Sequence, residues 1–187
     1  MILPELESRV RKHPEPLVVM GMGVPGTRKT ELLRPLERIP DFPAIRLSPG
    51  RVEARLRRLD KYAFRELGRE RGDAKVRRNL FITAAECLYD GNGVSVIYDA
   101  PNADSAERRE DVEMFRHEFG AKAIVGVYFM ADDYVAYERV MSKKTSSSTA
   151  RDFYNIRRLL LNDPPHMDEG FDEIIYVDTT NGQPVIT

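Results

Sequence analysis

A glycine-rich turn that ends in a lysine and a threonine contains the residues best suited to do chemistry. It reads Gly-Met-Gly-Val-Pro-Gly-Thr-Arg-Lys-Thr from Gly21 to Thr30. In a turn of this kind backbone N–H groups point inward, the lysine reaches terminal phosphates, and the next hydroxyl ligates Mg²⁺. The spacing from Gly23 to Lys29 and Thr30 therefore predicts a phosphate-binding loop that takes ATP, with Thr30 as the Mg²⁺ ligand.

Arg28 is a departure from this motif, because it stands where the second glycine belongs. Glycine serves where the backbone needs unusual dihedral angles or a close approach to the ligand. We expect the arginine to point outward, where it would add a cation near the phosphates. The alternative is a glycine-rich turn that binds nothing. The predicted phosphate-binding residues are Gly23, Val24, Pro25, Gly26, Thr27, Arg28, Lys29 and Thr30.

Short apolar runs that alternate with helical segments must position this loop. The runs predict strands at 17–21, 44–47, 94–99, 123–129 and 173–177. The helical segments are 4–12, 29–37, 52–71, 76–89, 106–119, 133–142 and 149–161. Strands separated by helices imply right-handed crossovers and a parallel sheet covered on both faces. We therefore predict a three-layer α/β fold with a five-stranded, mostly parallel sheet.

Length and composition exclude several classes of protein. The chain has 187 residues and a formal net charge of -1, which predicts a single domain over 1–187. Its one cysteine cannot form an internal disulfide, and its three histidines are too scattered for a zinc site. The first residues do not resemble a secretory signal, and no apolar run is long enough to cross a membrane. We expect a cytoplasmic protein with no membrane partner.

The charge is unevenly distributed along the chain. Residues 46–78 contain twelve basic and five acidic side chains. A basic segment of this kind indicates a site for nucleic acid or another phosphate-rich acceptor. The alternative is a solvated helical face with ion pairs between neighbouring turns.

Further along, the order of the motifs resembles the polynucleotide-kinase-like P-loop kinases, which are akin to the zeta-toxin kinases. The resemblance covers about residues 16–178 and rests on the following segments: the loop itself, Asp99-Ala-Pro-Asn102, Glu107-Arg108-Arg109, the stretch from Tyr137 to Lys144, and Glu169-Gly-Phe-Asp. It implies a kinase that transfers the γ-phosphate of ATP to a hydroxyl of a nucleic acid or nucleotide-like acceptor. It also implies a helical acceptor-side insertion at about 46–92 and a lid at about 139–152.

The resemblance assigns roles to individual residues. Lys29 is similar to the phosphate-binding lysine, and Asp99 to the aspartate on the acceptor side of the phosphates. Arg139 and Lys143 are similar to lid cations that close over the transferring group. Two further residues correspond to acceptor-binding positions: Arg51 and Asn102.

Two more departures affect the predicted acceptor side. Where the family has a general-base aspartate after the second strand, this chain has Ser48, or Gly50 in a shifted frame. Pro101 replaces a threonine of the family pattern. The possible substitutes for the base are Glu53, Asp60 and Asp99. These departures leave two alternatives to a nucleic-acid kinase: a nucleotide-binding module without turnover, or a kinase that acts on a small molecule.

Overall fold

A computed structural model describes residues 3–59, 68–89, 93–142 and 147–186. The strands are β1 (Leu17–Met22), β2 (Ala44–Leu47), β3 (Ser95–Asp99), β4 (Ala123–Met130), β5 (Glu173–Asp178) and β6 (Val185–Ile186). The helices are α1 (Leu3–Val10), α2 (Lys29–Leu33), α3 (Pro49–Leu59), α4 (Gly68–Tyr89), α5 (Ser105–Glu113), α6 (Asp133–Met141) and α7 (Ser147–Asn162).

The sheet has the strand order β2-β3-β1-β4-β5-β6. The first five strands are parallel, as predicted, and β6 pairs antiparallel with β5. The sheet therefore has six strands, one more than the five that the sequence predicted. Strand β6 has only two residues at the sheet edge, too few to show a period in the sequence.

The break predicted between the helices at 52–71 and 76–89 is wrong, because α4 runs without interruption over Gly68–Tyr89 and the helix before it ends its described part at Leu59. Two other boundaries differ where the turn type changes. The helix predicted at 29–37 ends at Leu33 and continues as a 3₁₀ turn over Arg34–Arg38, because Pro35 has no N–H to donate. The helix predicted at 106–119 ends at Glu113 and continues as a π-helical turn over Met114–Glu118. Both extensions stay on the predicted segment, so the layer arrangement is unchanged.

Two apolar cores lie on opposite faces of the sheet. On one face, α4 and α5 pack against β1 and β3, with Phe115 and Leu80 almost fully buried. On the other, α1, α2 and the 3₁₀ turn cover residues such as Val19 and Val125. A smaller cluster of α6 and α7 around Phe153 packs beside the phosphate-binding loop. No helix within the described ranges is both long and apolar enough to span a membrane.

The carboxyl ends of β1, β2 and β3 lie at one edge of the sheet. In the register of the parallel pairs, Gly21 lies beside Asp99, and Leu47 lies beside Tyr98. Ligands of open α/β sheets bind outside the carboxyl ends of the strands. This edge therefore carries the candidate site.

Candidate active site

The turn after β1 is closely packed between β4 and α6. Gly23 has a φ of +134°, and a Cβ there would lie 2.3 Å from the carbonyl oxygen of Phe129. Gly26 has a φ of +89°, and its Cβ would lie 2.1 Å from the carbonyl oxygen of Ala136. Both contacts are with backbone that cannot move aside. These two glycines are therefore required by the geometry of the loop.

The turn presents unused backbone donors. Thr27 Oγ1 donates a 2.8 Å hydrogen bond to the carbonyl of Val24, which closes the turn from inside. The backbone N–H groups of residues 26–30 donate to no acceptor within the ranges the structure describes. Donors arranged in this way form a concavity that suits an anion such as a phosphate.

Arg28 takes the backbone conformation that the missing glycine would have. Its φ and ψ are 60° and 18°, in the left-handed region. Its side chain lines the cleft beside the turn, where the guanidinium donates to both carboxylate oxygens of Glu31 and, at 2.9 Å, to the carbonyl of Gly182. The hydrogen bond to Glu31 raises the pKa of Arg28. The arginine thus leaves the loop open, and its charge is shared with Glu31.

Lys29 lies at the floor of the turn. Its Nζ donates to the carbonyls of Gly23, at 2.6 Å, and Val24, at 3.0 Å. Burial of the ammonium lowers its pKa to about 8, although the nearby charge of Asp99 opposes the shift. The group is therefore mostly protonated at neutral pH and is held where a phosphate would sit.

Thr30 and Asp99 come together from two elements. Thr30 Oγ1, at the start of α2, donates a 2.8 Å hydrogen bond to Asp99 Oδ2, at the end of β3. The same oxygen accepts a 2.6 Å bond from Arg46 Nη1 on β2. Arg46 and Asp99 are both buried, and Glu37 binds the other side of the Arg46 guanidinium at 3.1 Å. Asp99 is thus fixed by a network that joins β2 and β3 to the start of α2 and to the 3₁₀ turn after it.

The donor set at this point suits Mg²⁺ with a nucleotide. Hard cations prefer oxygen ligands, and in phosphoryl-transfer sites Mg²⁺ takes only one or two from the protein. Thr30 Oγ1 and Asp99 Oδ1 are the available oxygens, since Oδ2 is used by Thr30 and Arg46. Within the described parts of the chain no group of three His, Cys, Asp or Glu side chains is placed so that it could hold a metal ion by itself. A cation here would therefore share its coordination with phosphates and water.

Arg139 lies beside the loop as a wall residue. A first cleft of about 430 Å³ is lined by Gly26, Lys29, Thr30 and Arg139 among others. Arg139 Nη2 donates a 2.8 Å bond to the carbonyl of Thr179, and Nη1 lies 3.4 Å from that of Gly26. The predicted lid cation thus links the loop to the end of β5. Lys143, the second predicted lid cation, lies outside the described residues.

The two predicted acceptor residues are both engaged with the protein. Arg51 is exposed and donates to Glu37, at 3.1 Å, and to the carbonyl of Arg46. Asn102, with a φ of +44°, donates a 2.8 Å bond from Nδ2 to the carbonyl of Gly21. Asn102 thereby ties the segment after β3 to the start of the loop.

The sequence motifs around Arg108 and Glu169 meet in the interior. Arg108 binds Glu169 through Nε, at 2.6 Å, and Nη2, at 2.7 Å, and neither side chain is exposed. Its Nη1 donates to the carbonyl of Ala103 at 2.8 Å. This buried pair holds the segment that follows Asp99.

A second cleft, of about 440 Å³, lies on the other side of that segment. It is bounded by α4, α5, α7 and residues 100–104. Asp111 lies in its wall, where burial raises the pKa of the carboxyl to about 6 even though Arg77 binds it.

Sequence reasoning overlooked Arg46 and Asp111. The arginine within the short strand Ala-Ile-Arg-Leu was a signal of a buried ion pair, because a charge that is buried in a folded protein needs a partner. The sequence held no comparable signal for Asp111. Of the predicted bases, Asp99 is fixed by Thr30 and Arg46, Glu53 binds Arg57 on α3, and Asp60 lies outside the described residues.

Solved structures share this fold. A candidate kinase from Chloroflexus aurantiacus is 23% identical, with a TM-score of 0.66, over 90% of this chain and 87% of its own. The PezAT chromosomal toxin-antitoxin system of Streptococcus pneumoniae gives 11% identity and a TM-score of 0.63, over 95% of this chain and 77% of the other. Shikimate kinase from Bacteroides thetaiotaomicron gives 20% identity and a TM-score of 0.53, over 86% of each chain. These likenesses establish a P-loop kinase-like fold.

The family assignment comes from the sequence itself. No curated protein sequence matches the chain significantly. The model of the AAA domain family (AAA_33), however, matches residues 18–158, which include the loop, Asp99 and Arg139. Because this match covers well over half of the 187 residues, the chain belongs to the AAA domain family.

Proposed function

We propose that the protein is an ATP-dependent phosphotransferase that acts on a hydroxyl group. The observation that carries this proposal is the 2.8 Å hydrogen bond between Thr30 and Asp99, next in the chain to Lys29, whose ammonium lies within the loop. These three side chains are the ones that a P-loop needs for phosphate and metal. The left-handed backbone at Arg28 supports the same function, because it keeps the glycine geometry of the motif.

Each group of the chain has a role in this proposal. The loop amides and the Lys29 ammonium bind the β- and γ-phosphates. Thr30 Oγ1 and Asp99 Oδ1 would hold Mg²⁺, which would supply positive charge to those phosphates when it is bound. Arg46 keeps Asp99 oriented through its 2.6 Å contact.

The transfer forms one bond and breaks another. The acceptor oxygen bonds to the γ-phosphorus while the bond from that phosphorus to the β–γ bridging oxygen breaks. ADP leaves with the electron pair, and the hydroxyl proton is released to water. In a loose transition state positioning and charge contribute most of the catalysis. The protein therefore does not need the missing aspartate after β2 as strictly as an enzyme that relies on a strong base.

A nucleic-acid acceptor on segment 46–78 stays a prediction from the sequence. Several of its cations are engaged with neighbouring carboxylates. Arg46 is buried against Asp99, Arg57 binds Glu53, and Arg77 binds Asp111. Arg55 and Arg58 on α3 are exposed. Transfer to oligonucleotides with a free 5′-hydroxyl tests this acceptor directly.

Calorimetry with ATP and Mg²⁺ tests the nucleotide site. We expect Lys29→Ala to weaken ATP binding at least about tenfold, because it removes a charge-assisted contact worth about 1.5–3 kcal/mol. Lys122→Ala is the matched control, since Lys122 is exposed and far along the chain from the loop. Unchanged binding in Lys29→Ala would contradict the proposed site. ATP binding without transfer to any hydroxyl compound would instead select the nucleotide-binding module.

A further inference from the structure

The second cleft adjoins the phosphate-binding loop through one shared segment. Residues 100–103 form its wall, and the backbone N–H of Gly23 donates a 3.2 Å bond to the carbonyl of Pro101 in that segment. On the loop side, Asn102 Nδ2 binds the carbonyl of Gly21. A molecule in the cleft therefore lies next to the end of β3 and the loop, where a phosphoryl acceptor has to be.

The size and walls of this cleft suit a small molecule. Its volume, about 440 Å³, falls in the range of ordinary ligand pockets. Apolar side chains line it from two directions: Val76 and Leu80 from α4, and Ile156 and Leu159 from α7. An occupant with an apolar body would be desolvated between these helices.

The two arginines in the cleft offer no free positive charge. Arg77 Nη2 binds Asp111 Oδ1 at 2.8 Å and Glu110 Oε2 at 3.0 Å. Arg108 is fully buried against Glu169. A phosphate or carboxylate on the ligand would therefore find both guanidinium groups already neutralised.

Free negative charge, by contrast, is present on two sides of the cleft. Asp73 on α4 and Glu107 on α5 both line it. In the part of the chain that the structure describes, neither carboxylate has a hydrogen bond or an ion pair. Asp104 does not add to this charge at full strength, because it caps α5 by accepting from Ala106 and Glu107 N–H groups.

We propose that the second cleft binds the phosphoryl acceptor, and that this acceptor is a small hydroxyl compound with an apolar body and a protonated amine. The inference rests on the proposed phosphotransferase function and names its substrate class. The apolar walls bind the body, and Asp73 and Glu107 bind the ammonium. Transfer converts the hydroxyl to a phosphomonoester and leaves the amine intact.

Matched probes test the charge preference. The probes are 2-amino-3-phenylpropan-1-ol, its neutral N-acetyl derivative and the anionic 3-phenyllactate, each added to the protein with a non-hydrolysable ATP analogue and Mg²⁺. Saturation-transfer NMR measures their binding, and ³¹P NMR measures their phosphorylation with ATP. We expect the amine to bind about threefold to fivefold more tightly than the other two, because both carboxylates are exposed and a contact with an exposed charge contributes up to about 1 kcal/mol.

Two variants assign the preference to the cleft. In the double variant Asp73→Asn, Glu107→Gln, the ratio of the amine's affinity to that of the other two probes should fall about threefold to fivefold. This corresponds to a loss of about 1 kcal/mol of binding free energy. Glu113→Gln, an exposed carboxyl on the same helix as Glu107, is the control and should keep the preference. Thermal unfolding of both variants checks that they are folded.

The remaining outcomes separate the two proposals. Equal binding of the three probes, a preference for the anion, no binding of any probe, or an amine preference that the double variant keeps would overturn the acceptor class. Phosphorylation of a 5′-hydroxyl oligonucleotide in place of the amine would overturn it as well, while leaving the phosphotransferase intact. Failure of the phosphotransferase proposal has a different sign: ATP binding that is absent, or that Lys29→Ala leaves unchanged.

Discussion

The guanidinium of Arg46 and the carboxylate of Asp99 form a buried ion pair, 2.6 Å from Nη1 to Oδ2, between the ends of two neighbouring strands. Asp99 Oδ2 also accepts the hydroxyl of Thr30, so the pair extends into the phosphate-binding loop. On its other side Arg46 donates to Glu37. Burial alone would raise the pKa of the Glu37 carboxyl, but the hydrogen bonds from Arg46 and Arg51 outweigh burial and lower it. The charge of Asp99 is therefore balanced by the protein before any ligand enters.

Replacement of Arg46 tests how much stability this pair provides. Arg46→Met leaves the buried Asp99 and the partly buried Glu37 without their main cation, and we expect a loss of about 3 kcal/mol in the free energy of unfolding. Arg51→Met is the matched control, because Arg51 binds the same Glu37 from an exposed position and should cost less than about 1 kcal/mol. Urea unfolding of both variants measures the difference. Equal losses in the two variants would show that the buried ion pair contributes no more to stability than the exposed one.

The lowered pKa of Lys29 predicts a pH dependence of nucleotide binding. Burial puts the pKa at about 8, so the ammonium is charged at pH 7 and loses its proton as the pH rises through 8. Because the charged form binds phosphate, the ATP affinity should fall by up to about tenfold per pH unit between pH 8 and pH 9.5.

The control for this dependence is Lys29→Arg, whose guanidinium stays charged throughout that range. Its affinity for ATP is expected to be lower at pH 7 but flat up to pH 9.5. Calorimetry across the pH range compares the two proteins. A wild-type affinity that does not change above pH 8 would contradict the assigned pKa.

The sequence predicted the parts of the site that depend on local pattern. The loop, its strand and the helix after it follow from residues near each other in the chain, as do the five parallel strands. The ion pairs were not accessible in this way, since Arg46 and Asp99 are 53 positions apart and Arg108 and Glu169 are 61 apart. The alternating order of strands and helices predicted which strands are parallel, but not which side chains would meet at their ends.

Arg28 shows, at a single residue, what the sequence could predict and what it could not. From sequence, an arginine at a glycine position of the loop predicted a defect compensated by an outward side chain. In the structure the side chain lines the cleft and is paired with Glu31, and the backbone defect is absent, because the residue adopts φ 60° and ψ 18°. What the sequence could not indicate is the bond to Gly182, which depends on how the end of β5 folds back over the loop.

Substitutions at Arg28 measure the cost of its backbone conformation. A residue with a Cβ in the left-handed region is strained by about 1 kcal/mol relative to glycine. Arg28→Ala and Arg28→Gly both lose the bonds to Glu31 and Gly182, so their difference isolates this strain. We expect the glycine variant to be more stable than the alanine variant by about 1 kcal/mol in urea unfolding.

The control position is Lys75, which is exposed and lies within α4. There the order should reverse, because alanine is favoured over glycine in a helix by about 1 kcal/mol. The same order at both positions would show that Arg28 is not held in the left-handed region.

Asp111 predicts a pH dependence of stability that is separate from the nucleotide site. Burial raises its carboxyl pKa to about 6, although Arg77 partly opposes the shift and the charges of Glu107 and Glu110 add to it. The folded protein therefore holds this proton more tightly than the unfolded chain does. The resulting stabilisation is complete below about pH 4 and is lost as the pH rises through 6, a change of about 2–3 kcal/mol for a shift of this size.

Asp111→Asn cannot titrate, so the difference in unfolding free energy between wild type and variant should change by that amount between pH 4 and pH 7. The variant Glu113→Gln, at an exposed position of the same helix, should give a difference that stays constant over this range. Other carboxylates of the protein titrate equally in wild type and variant, so they cancel in the difference. A constant difference for Asp111→Asn would mean that this carboxyl is ionised as easily in the folded protein as in the unfolded chain.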